Sequence, residues 1–409
     1  MKEGDARDAA EAAARISYGR LLSLLARSTR DIAAAEDALS EAFATALRVW
    51  PEQGVPQRPE AWLLTAARRA AGHVHRHQGV REAAVPALEQ VYDAMQSATP
   101  SEFPDERLKL MFVCAHPAID ETVRTPLMLQ TILGLDAARI ARAFLVEAAA
   151  MSQRLVRAKA KIRDAGVAFE VPEASALEDR LEDVLAAIYA AYTLGWDEVP
   201  GEEAAGEPLT GEAIFLARLV VMLLPQAPEA KGLLALMLAS EARAGARRAP
   251  DGAYVPLKDQ DVRLWDGAFI AEAEACLRAA ARMGRPGRFQ TEAAIQSLHN
   301  QSVMLGEVPD GALLTLYDVL VRQSPSIGAA VARAVAYGAH RSAQDGLACL
   351  SEMPEARITG YQPYWAARFH LLQSAGRLKE AAEACAKAIS LTRDPALAAF
   401  LAARLGKPD

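Results

Sequence analysis

Long hydrophobic runs and paired cysteines are missing from this 409-residue sequence. Its most apolar run, Leu219 to Leu224, has six residues, whereas a membrane-spanning helix needs about 20. The charged first fifteen residues contain no apolar core of a secretion signal. The four cysteines follow no CxxC spacing, which argues against a disulfide framework or a zinc site. The sequence therefore predicts a cytoplasmic protein of roughly two to four domains, with no membrane contact and no cofactor.

Signatures of catalysis are also missing. We find no glycine-rich phosphate loop, no nucleophile elbow and no cluster of metal ligands. His73, His75 and His77 lie close together, but no carboxylate or cysteine of matching spacing accompanies them, so no metal site is predicted. The loop that carries Asp259, Asp261 and Arg263 is interpreted as a structural ion-pair network. We therefore expect a protein that is not an enzyme.

Basic charge is scarce overall but unevenly distributed. The net charge is −7, yet residues 1–170 hold 22 basic and 22 acidic side chains, whereas residues 171–409 hold 23 and 30. Within the neutral half, residues 139–163 carry seven basic side chains against one acidic, and residues 58–81 carry five against one. Two basic stretches in an otherwise acidic chain indicate local binding of a polyanion.

Nearly every segment has the pattern of a helix. Alanine and leucine dominate, β-branched alternation is absent, and proline or glycine recurs at helix-length intervals. The first helix is predicted over 6–28. The second follows an N-cap at Asp31 and ends at the loop 51–58, and the third begins at Pro59 and runs to about His77. The fold class predicted from this pattern is all-α.

Residues 134–163 predict a helix-turn-helix. Asp136 caps a short helix through Phe144, and after a tight turn a longer helix runs from Glu147 to Arg163. The longer helix has an apolar face of Met151, Leu155, Ala158 and Ile162, and a polar face of Ser152, Gln153, Arg154, Arg157 and Lys161. A recognition helix needs this division, because one face holds it on its domain while the other reaches the major groove. A solvated basic face is the alternative.

The second and third helices show similar divisions. The second has an apolar stripe of Ile32, Ala35, Leu39, Phe43, Leu47 and Trp50, and its polar side carries Glu36, Asp37, Ser40 and Glu41. The third has a buried face of Leu63, Ala67, Ala70 and Val74, and a basic face of Arg69, His73, Arg76 and His77. Taken alone, such acidic and basic faces are also typical of solvated helix surfaces.

Three segments precede the predicted helix-turn-helix in a fixed order: DIAAAEDALSEAFATALRVWP, RPEAWLLTAARRA and DERLKLMFVCAHPAI. In this order they resemble a bacterial RNA polymerase sigma factor of the sigma-70 family, in the extracytoplasmic-function group. DERLKLMF, the helix-turn-helix and LKDQDVRLWD are similar to motifs of a subgroup with a long C-terminal extension of tetratricopeptide-like repeats. The resemblance covers essentially the whole chain.

The resemblance implies a transcription initiation factor that binds the clamp helices and flap of core RNA polymerase and recognises promoter DNA. The implied polymerase contacts are Glu36, Asp37, Ser40 and Glu41. The implied contacts with the −10 element are Arg58, Trp62, Arg68, Arg69, His73 and Arg76. The implied contacts with the −35 element are Ser152, Gln153, Arg154, Arg157 and Lys161. Asp259, Asp261 and Arg263 are implied to form a regulatory loop.

The resemblance also implies a domain order. We expect sigma region 2 at 1–80, a linker at 81–104, region 4 with its helix-turn-helix at 105–168, a helical extension at 176–290 and tetratricopeptide-like repeats at 291–409. The extension would regulate activity and contact the sigma regions within the same chain. Two alternatives stay open: a repeat scaffold that binds proteins, and a stand-alone helix-turn-helix regulator. Co-purification with core polymerase distinguishes the sigma factor from both.

Overall fold

The computed structural model describes residues 3–76, 105–144, 146–170, 172–196, 209–306 and 311–405, and for 3–6, 8, 12, 14–16, 73–76 and 174 the backbone alone. Within these ranges the chain is helical, and its only β-type pairing is one isolated bridge between Arg248 and Tyr254. The prediction of an all-α fold is thereby confirmed. The predicted linker 81–104, His77 and the side chains of His73 and Arg76 lie outside the described residues. No helix in the described ranges is long and apolar enough to cross a bilayer.

The chain divides into two compact units, residues 1–223 and 224–409. The helices of the first unit are α1 (Glu3–Thr29), α2 (Ile32–Gln53), α3 (Pro59–Arg76), α4 (Glu106–Cys114), α5 (Glu121–Leu133), α6 (Ala137–Ala143), α7 (Ala148–Asp164), α8 (Ala174–Trp196) and α9 (Leu209–Leu223). The helices of the second are α10 (Pro228–Glu241), α11 (Gly267–Ala281), α12 (Arg288–Leu305), α13 (Ala312–Gln323), α14 (Ile327–His340), α15 (Ala343–Ser351), α16 (Glu355–Ile358), α17 (Gln362–Ser374), α18 (Leu378–Leu391) and α19 (Pro395–Arg404). The division at residue 223 differs from the domain boundaries expected from sequence, which stay a prediction.

Helix α2 begins as predicted but ends later. The Asp31 carboxylate accepts hydrogen bonds from the backbone N–H groups of Ala33 and Ala34, at 2.9 and 3.3 Å. The helix ends within the predicted loop 51–58, but it continues through Pro51 to Gln53 before it does so. A proline so near the end removes one backbone hydrogen bond, and Gly54 then closes the last turn by donating to the Trp50 carbonyl.

The apolar stripe of α2 needs a second correction. Ile32, Ala35 and Leu39 are buried, whereas Leu47 is 49% exposed. Trp50 is buried as predicted, and Ala46, which lies outside the predicted stripe, is buried as well. These two are four residues apart and therefore lie on the same helix face, which leaves Leu47 beside the packed surface rather than within it.

In the first unit the first three helices pack on one another and also contact the helices that follow them. Helices α1, α2 and α3 contact one another, and α1 also lies against α4 and α5 while α2 lies against α7. Residues 110–115 at the end of α4 are all buried, because α1, α5 and α8 contact this helix and α9 approaches it too. Helix α4 is thus the centre of the unit.

Helix pairs form the second unit. Helix α10 is apolar and almost wholly buried, and it packs on α11 and α12. The Glu229 carboxylate accepts hydrogen bonds from the backbone N–H groups of Phe289 and Gln290, which satisfies the first turn of α12. The pairs α14–α15 and α17–α18 share one core, and they contain two segments of similar sequence, Ala334–Leu350 and Leu371–Ile389.

Candidate nucleic-acid interface

Helix α7 has the divided surface predicted from sequence. Its apolar face is buried: Met151, Leu155 and Ile162 are each 1% exposed, and Ala158 is 5% exposed. The side chains predicted to face DNA are all exposed, namely Ser152, Gln153, Arg154, Arg157 and Lys161. Helix α6 precedes it, begins at a hydrogen bond from the Arg139 backbone N–H to Asp136, and packs on it. A short helix thus supports a longer one whose polar face is open.

A groove of about 510 Å³ follows the basic edge of α7. Arg154, Arg157 and Lys161 line one wall, and the start of α5 lines the other. Asp120 caps α5 by accepting a hydrogen bond from the Thr122 backbone N–H. It also accepts one from the Thr122 hydroxyl, which is the main reason that the pKa of this carboxyl is lowered. Three cations beside a helix N-terminus offer good partners for a phosphate.

One face of α2 is open, and it carries three of the four predicted polymerase contacts. Asp37, Ser40 and Glu41 are exposed, and Leu47 extends this surface. The fourth residue, Glu36, is turned inward instead: its Oε2 lies 2.5 Å from Nζ of Lys159 on α7. Burial raises the pKa of Glu36, although Lys159 opposes the shift.

Sequence reasoning missed Lys159, which is only 7% exposed. Its position in the sequence could have predicted that it is buried. Lys159 follows Leu155 by four residues and precedes Ile162 by three, so it falls inside the apolar stripe of α7. A lysine in such a stripe needs a buried anion as a partner. The exposed apolar side chain of Val156, at 61%, was also missed on the polar side of the helix.

Helix α3 presents an aromatic and basic surface. Leu63, Ala67 and Ala70 are buried as predicted, and Ser17 of α1 donates a hydrogen bond to Glu60. Trp62 packs edge-on against the buried Trp50, with ring centroids 5.5 Å apart at 66°. Arg58 and Arg69 are exposed, whereas Arg68 is half-buried and burial lowers its pKa. Trp62, Arg68 and Arg69 therefore share one helix with a fixed aromatic support.

The loop that carries Asp261 is anchored in the second unit by residues that precede it. Arg248 pairs with Asp394 at 2.5 Å, and the Tyr254 ring lies 5.2 Å from that of Phe400. Asp261 caps a 3-10 turn and pairs with Arg263 at 2.6 Å, and this hydrogen bond lowers the pKa of Asp261 to about 2. Asp259 and Arg263 are exposed. The ion pairing expected here is thus an exposed two-residue pair on an anchored loop.

Comparison with known proteins gives two family matches. The family described as Sigma-70 region 2 matches residues 15–80, which spans most of α1 and all of α2 and α3. A family of unknown function (DUF6596) matches residues 180–281, from α8 to the end of α11. No solved structure matches the chain.

A curated relative matches nearly the whole chain. It is "Uncharacterized protein R00370" of Rhizobium meliloti (strain 1021), 37% identical over 391 residues. The match covers 94% of this chain and 92% of the relative. The chain therefore belongs to one family with the R00370 protein, and its residues 15–80 are similar to sigma-70 region 2.

Proposed function

We propose that this protein is a non-catalytic transcription initiation factor of the extracytoplasmic-function type, which binds core RNA polymerase and selects promoters. The match of residues 15–80 to sigma-70 region 2 carries the proposal. The open basic face of α7 supports it, because a promoter-selecting factor needs a second DNA-binding surface. The functional residues proposed below are those that the sequence resemblance implies.

Region 4 corresponds to α4–α7 in this proposal, and α7 enters the major groove at the −35 element. Gln153 suits bidentate hydrogen bonding to adenine, and Arg157 suits a backbone phosphate. Val156 lies between them on the helix and offers an apolar contact for a thymine methyl group. Arg154 and Lys161 line the groove beside α5, where a backbone phosphate would bind.

Region 2 corresponds to α1–α3, and α3 captures the melted −10 element. Trp62 offers a ring face on which an unpaired base stacks, an interaction worth about 1–3 kcal/mol per base. Trp50 holds that ring from behind. Arg58, Arg68 and Arg69, together with His73 and Arg76, would bind phosphates of the non-template strand.

The open face of α2 is the proposed docking surface for the polymerase clamp helices. Asp37, Ser40 and Glu41 supply hydrogen-bonding groups, and the exposed Leu47 supplies apolar area next to them. Polar groups around an exposed apolar side chain are typical of a protein-binding patch. The flap of the polymerase would contact region 4.

The C-terminal extension, with its tetratricopeptide-like repeats, is proposed to regulate activity through its first helices. Asp183 of α8 pairs with Arg124 of α5 at 2.7 Å, and Arg180 donates to the Phe112 carbonyl at 3.0 Å. Glu212 of α9 pairs with Arg107 of α4. These contacts join α8 and α9 to the proposed region 4, so a change in the extension would reach the DNA-binding helix.

Two variants of α7 test the proposed −35 contacts. Arg157→Ala is expected to weaken binding of the polymerase complex to all promoters alike and to reduce the slope of log affinity against log salt by about 1. Gln153→Ala is expected to cost about 1–3 kcal/mol at one base pair only. Affinities for a set of singly substituted promoters at several salt concentrations measure both effects.

The matched control is Arg393→Ala, which removes an exposed arginine from the second unit. It should leave affinity and salt slope unchanged. If Gln153→Ala had no effect at any single base pair, α7 would not be the reading helix.

A further inference from the structure

A cavity of about 650 Å³ lies where the turn between α1 and α2 meets the segment that follows α7. Its lining includes Arg27, Arg30 and Ala34 from the first two helices and their turn, and Arg163, Val167 and Phe169 from α7 and the residues after it. None of its residues lines the groove beside α5 or belongs to the proposed polymerase contacts. The cavity is therefore separate from the surfaces to which a function has been proposed above.

Three arginines line this cavity, and none is held by a strong ion pair. Arg27 lies 3.3 Å from Glu106, and its side chain stays 56% exposed. Arg163 pairs with its exposed neighbour Asp164. Arg30 forms no ion pair within the part of the chain that the structure describes. Because exposed pairs of this kind contribute little to stability, the three guanidinium groups remain available to a ligand.

The backbone of Arg30 has an uncommon conformation. Arg30 ends α1 by donating its N–H to the Ala26 carbonyl at 2.8 Å, and its φ is 56°. It is the one residue other than glycine with a positive φ among the described residues. A helix end in this left-handed conformation usually has glycine there, because a Cβ atom is unfavourable. A long cationic side chain thus occupies a position at which glycine would suit the turn better.

Two carboxylates also line the cavity, and one of them is already engaged. Asp31 accepts the capping hydrogen bonds of α2 and lies 3.8 Å from Arg163. Glu170 is exposed. Since Asp31 satisfies the start of α2, the arginines rather than the helix dipole would bind an anion. That anion must draw the arginines from their present partners, which a di- or triphosphate does best because it accepts several charge-assisted hydrogen bonds.

The remaining side chains of the cavity are mostly apolar. Ala34, Val167, Ala168 and Phe169 contribute them, and Phe169 is held in place because it is only 9% exposed. Small-molecule sites typically have volumes of about 300–1,000 Å³, with apolar walls and a few charged groups that orient the ligand. An apolar wall beside three cations fits a ligand that carries a ring system at one end and phosphates at the other.

We propose that this cavity binds a nucleoside di- or triphosphate. Arg27, Arg30 and Arg163 bind the phosphate oxygens, for which the planar guanidinium fork is well suited. Val167 and Phe169 contact the base. The site is independent of the proposed function, since it requires neither polymerase nor DNA.

Calorimetric titration of the full chain with ATP and with GTP tests the proposal. We expect at least one of them to bind at a single site and to raise the midpoint of thermal unfolding. The matching nucleoside should not bind, and inorganic pyrophosphate should bind about tenfold more weakly, because it lacks the contacts with the apolar wall. If neither triphosphate bound, or if pyrophosphate bound equally well, the proposal would be wrong.

Arg30→Gly separates a binding role of this arginine from a structural one. It is expected to weaken binding of the triphosphate about tenfold, the loss of roughly one charge-assisted hydrogen bond. The midpoint of thermal unfolding should not fall, because glycine adopts a positive φ freely. Arg20→Ala, which removes an exposed arginine of α1 outside the cavity, should change neither quantity. A lower midpoint with unchanged affinity for Arg30→Gly would contradict the proposal.

A pair of substitutions at Ala168 tests whether the site recognises charge. Ala168 is exposed and lines the cavity. Ala168→Glu places a third carboxylate there and should weaken binding several-fold more than Ala168→Gln, which has the same size without the charge. Equal affinities of the two variants would contradict phosphate binding by the arginines. A short single-stranded oligonucleotide that displaced the triphosphate and bound more tightly would show a nucleic-acid site instead.

Discussion

Lys159→Met is expected to weaken the α2–α7 contact by about 3 kcal/mol at neutral pH, because it leaves the Glu36 carboxylate buried without its cation. That free energy corresponds to a change of about 100-fold in the equilibrium constant for packing α7 on α2. Glu36 Oε1 already has no hydrogen-bond partner among the described residues, so no second contact there replaces the lysine. The midpoint of thermal unfolding measures the effect.

The effect of Lys159→Met should depend on pH. Burial raises the pKa of Glu36 above its ordinary value of 4.5, and Lys159 is the group that opposes this rise. A carboxyl with a raised pKa stabilises the packed state below its ordinary value and loses that contribution as pH rises through the raised one. The stability cost of the variant should therefore shrink as pH falls toward 4.5. A cost that stayed constant over this range would contradict a buried, ionised Glu36.

Lys161→Met is the control for stability. It makes the same substitution two residues away on the same helix, at an exposed position. Surface substitutions of this kind change stability by less than about 0.5 kcal/mol. Equal effects of the two variants would mean that the loss arises from helix propensity or net charge rather than from the pair.

Trp50→Ala and Trp62→Ala are expected to separate folding from function in region 2. Trp50 is 1% exposed, and its truncation should cost about 3–5 kcal/mol of stability. Trp62 is only half-buried, so Trp62→Ala should cost much less stability. It should nevertheless weaken binding of a single-stranded −10 oligonucleotide to the polymerase complex by about 1–3 kcal/mol, through the lost stacking. Thermal unfolding and fluorescence anisotropy give the two quantities.

The conservative variant Trp62→Phe keeps an aromatic face and should retain most of the oligonucleotide affinity. If Trp62→Ala left that affinity unchanged while Trp50→Ala abolished it, the aromatic pair would only support the fold. The −10 surface would then consist of the basic residues of α3 alone.

Local sequence signals predicted the elements of the first unit well. Asp31 and Asp136 cap helices as expected, because an aspartate in front of an apolar stripe is a strong start signal. The apolar residues of α7 recur at helical spacing, and the face that they predicted to be buried is the buried one. The end of α2 was predicted too early, because a proline in the last turn of a helix, such as Pro51, destabilises it only slightly.

Contacts between distant segments could not be predicted in the same way. The sequence placed Glu36 on a polar face and did not show that this face meets α7, since 123 residues separate Glu36 from Lys159. The need for glycine at position 19 could not be predicted either, because it arises from the Ile132 carbonyl of another helix, which a Cβ atom at Gly19 would meet. Both depend on how α1 and α2 pack on α5 and α7, which local periodicity does not encode.

Run-off transcription with purified core polymerase tests the sigma-factor function most directly. The template carries the DNA upstream of the protein's own coding sequence, and the wild-type and Arg157→Ala chains are compared at equal concentration. We predict a transcript with one defined start that requires the protein and decreases with Arg157→Ala. No defined transcript with the wild type, together with tight sequence-specific binding to duplex DNA without polymerase, would contradict a sigma factor and indicate a stand-alone regulator.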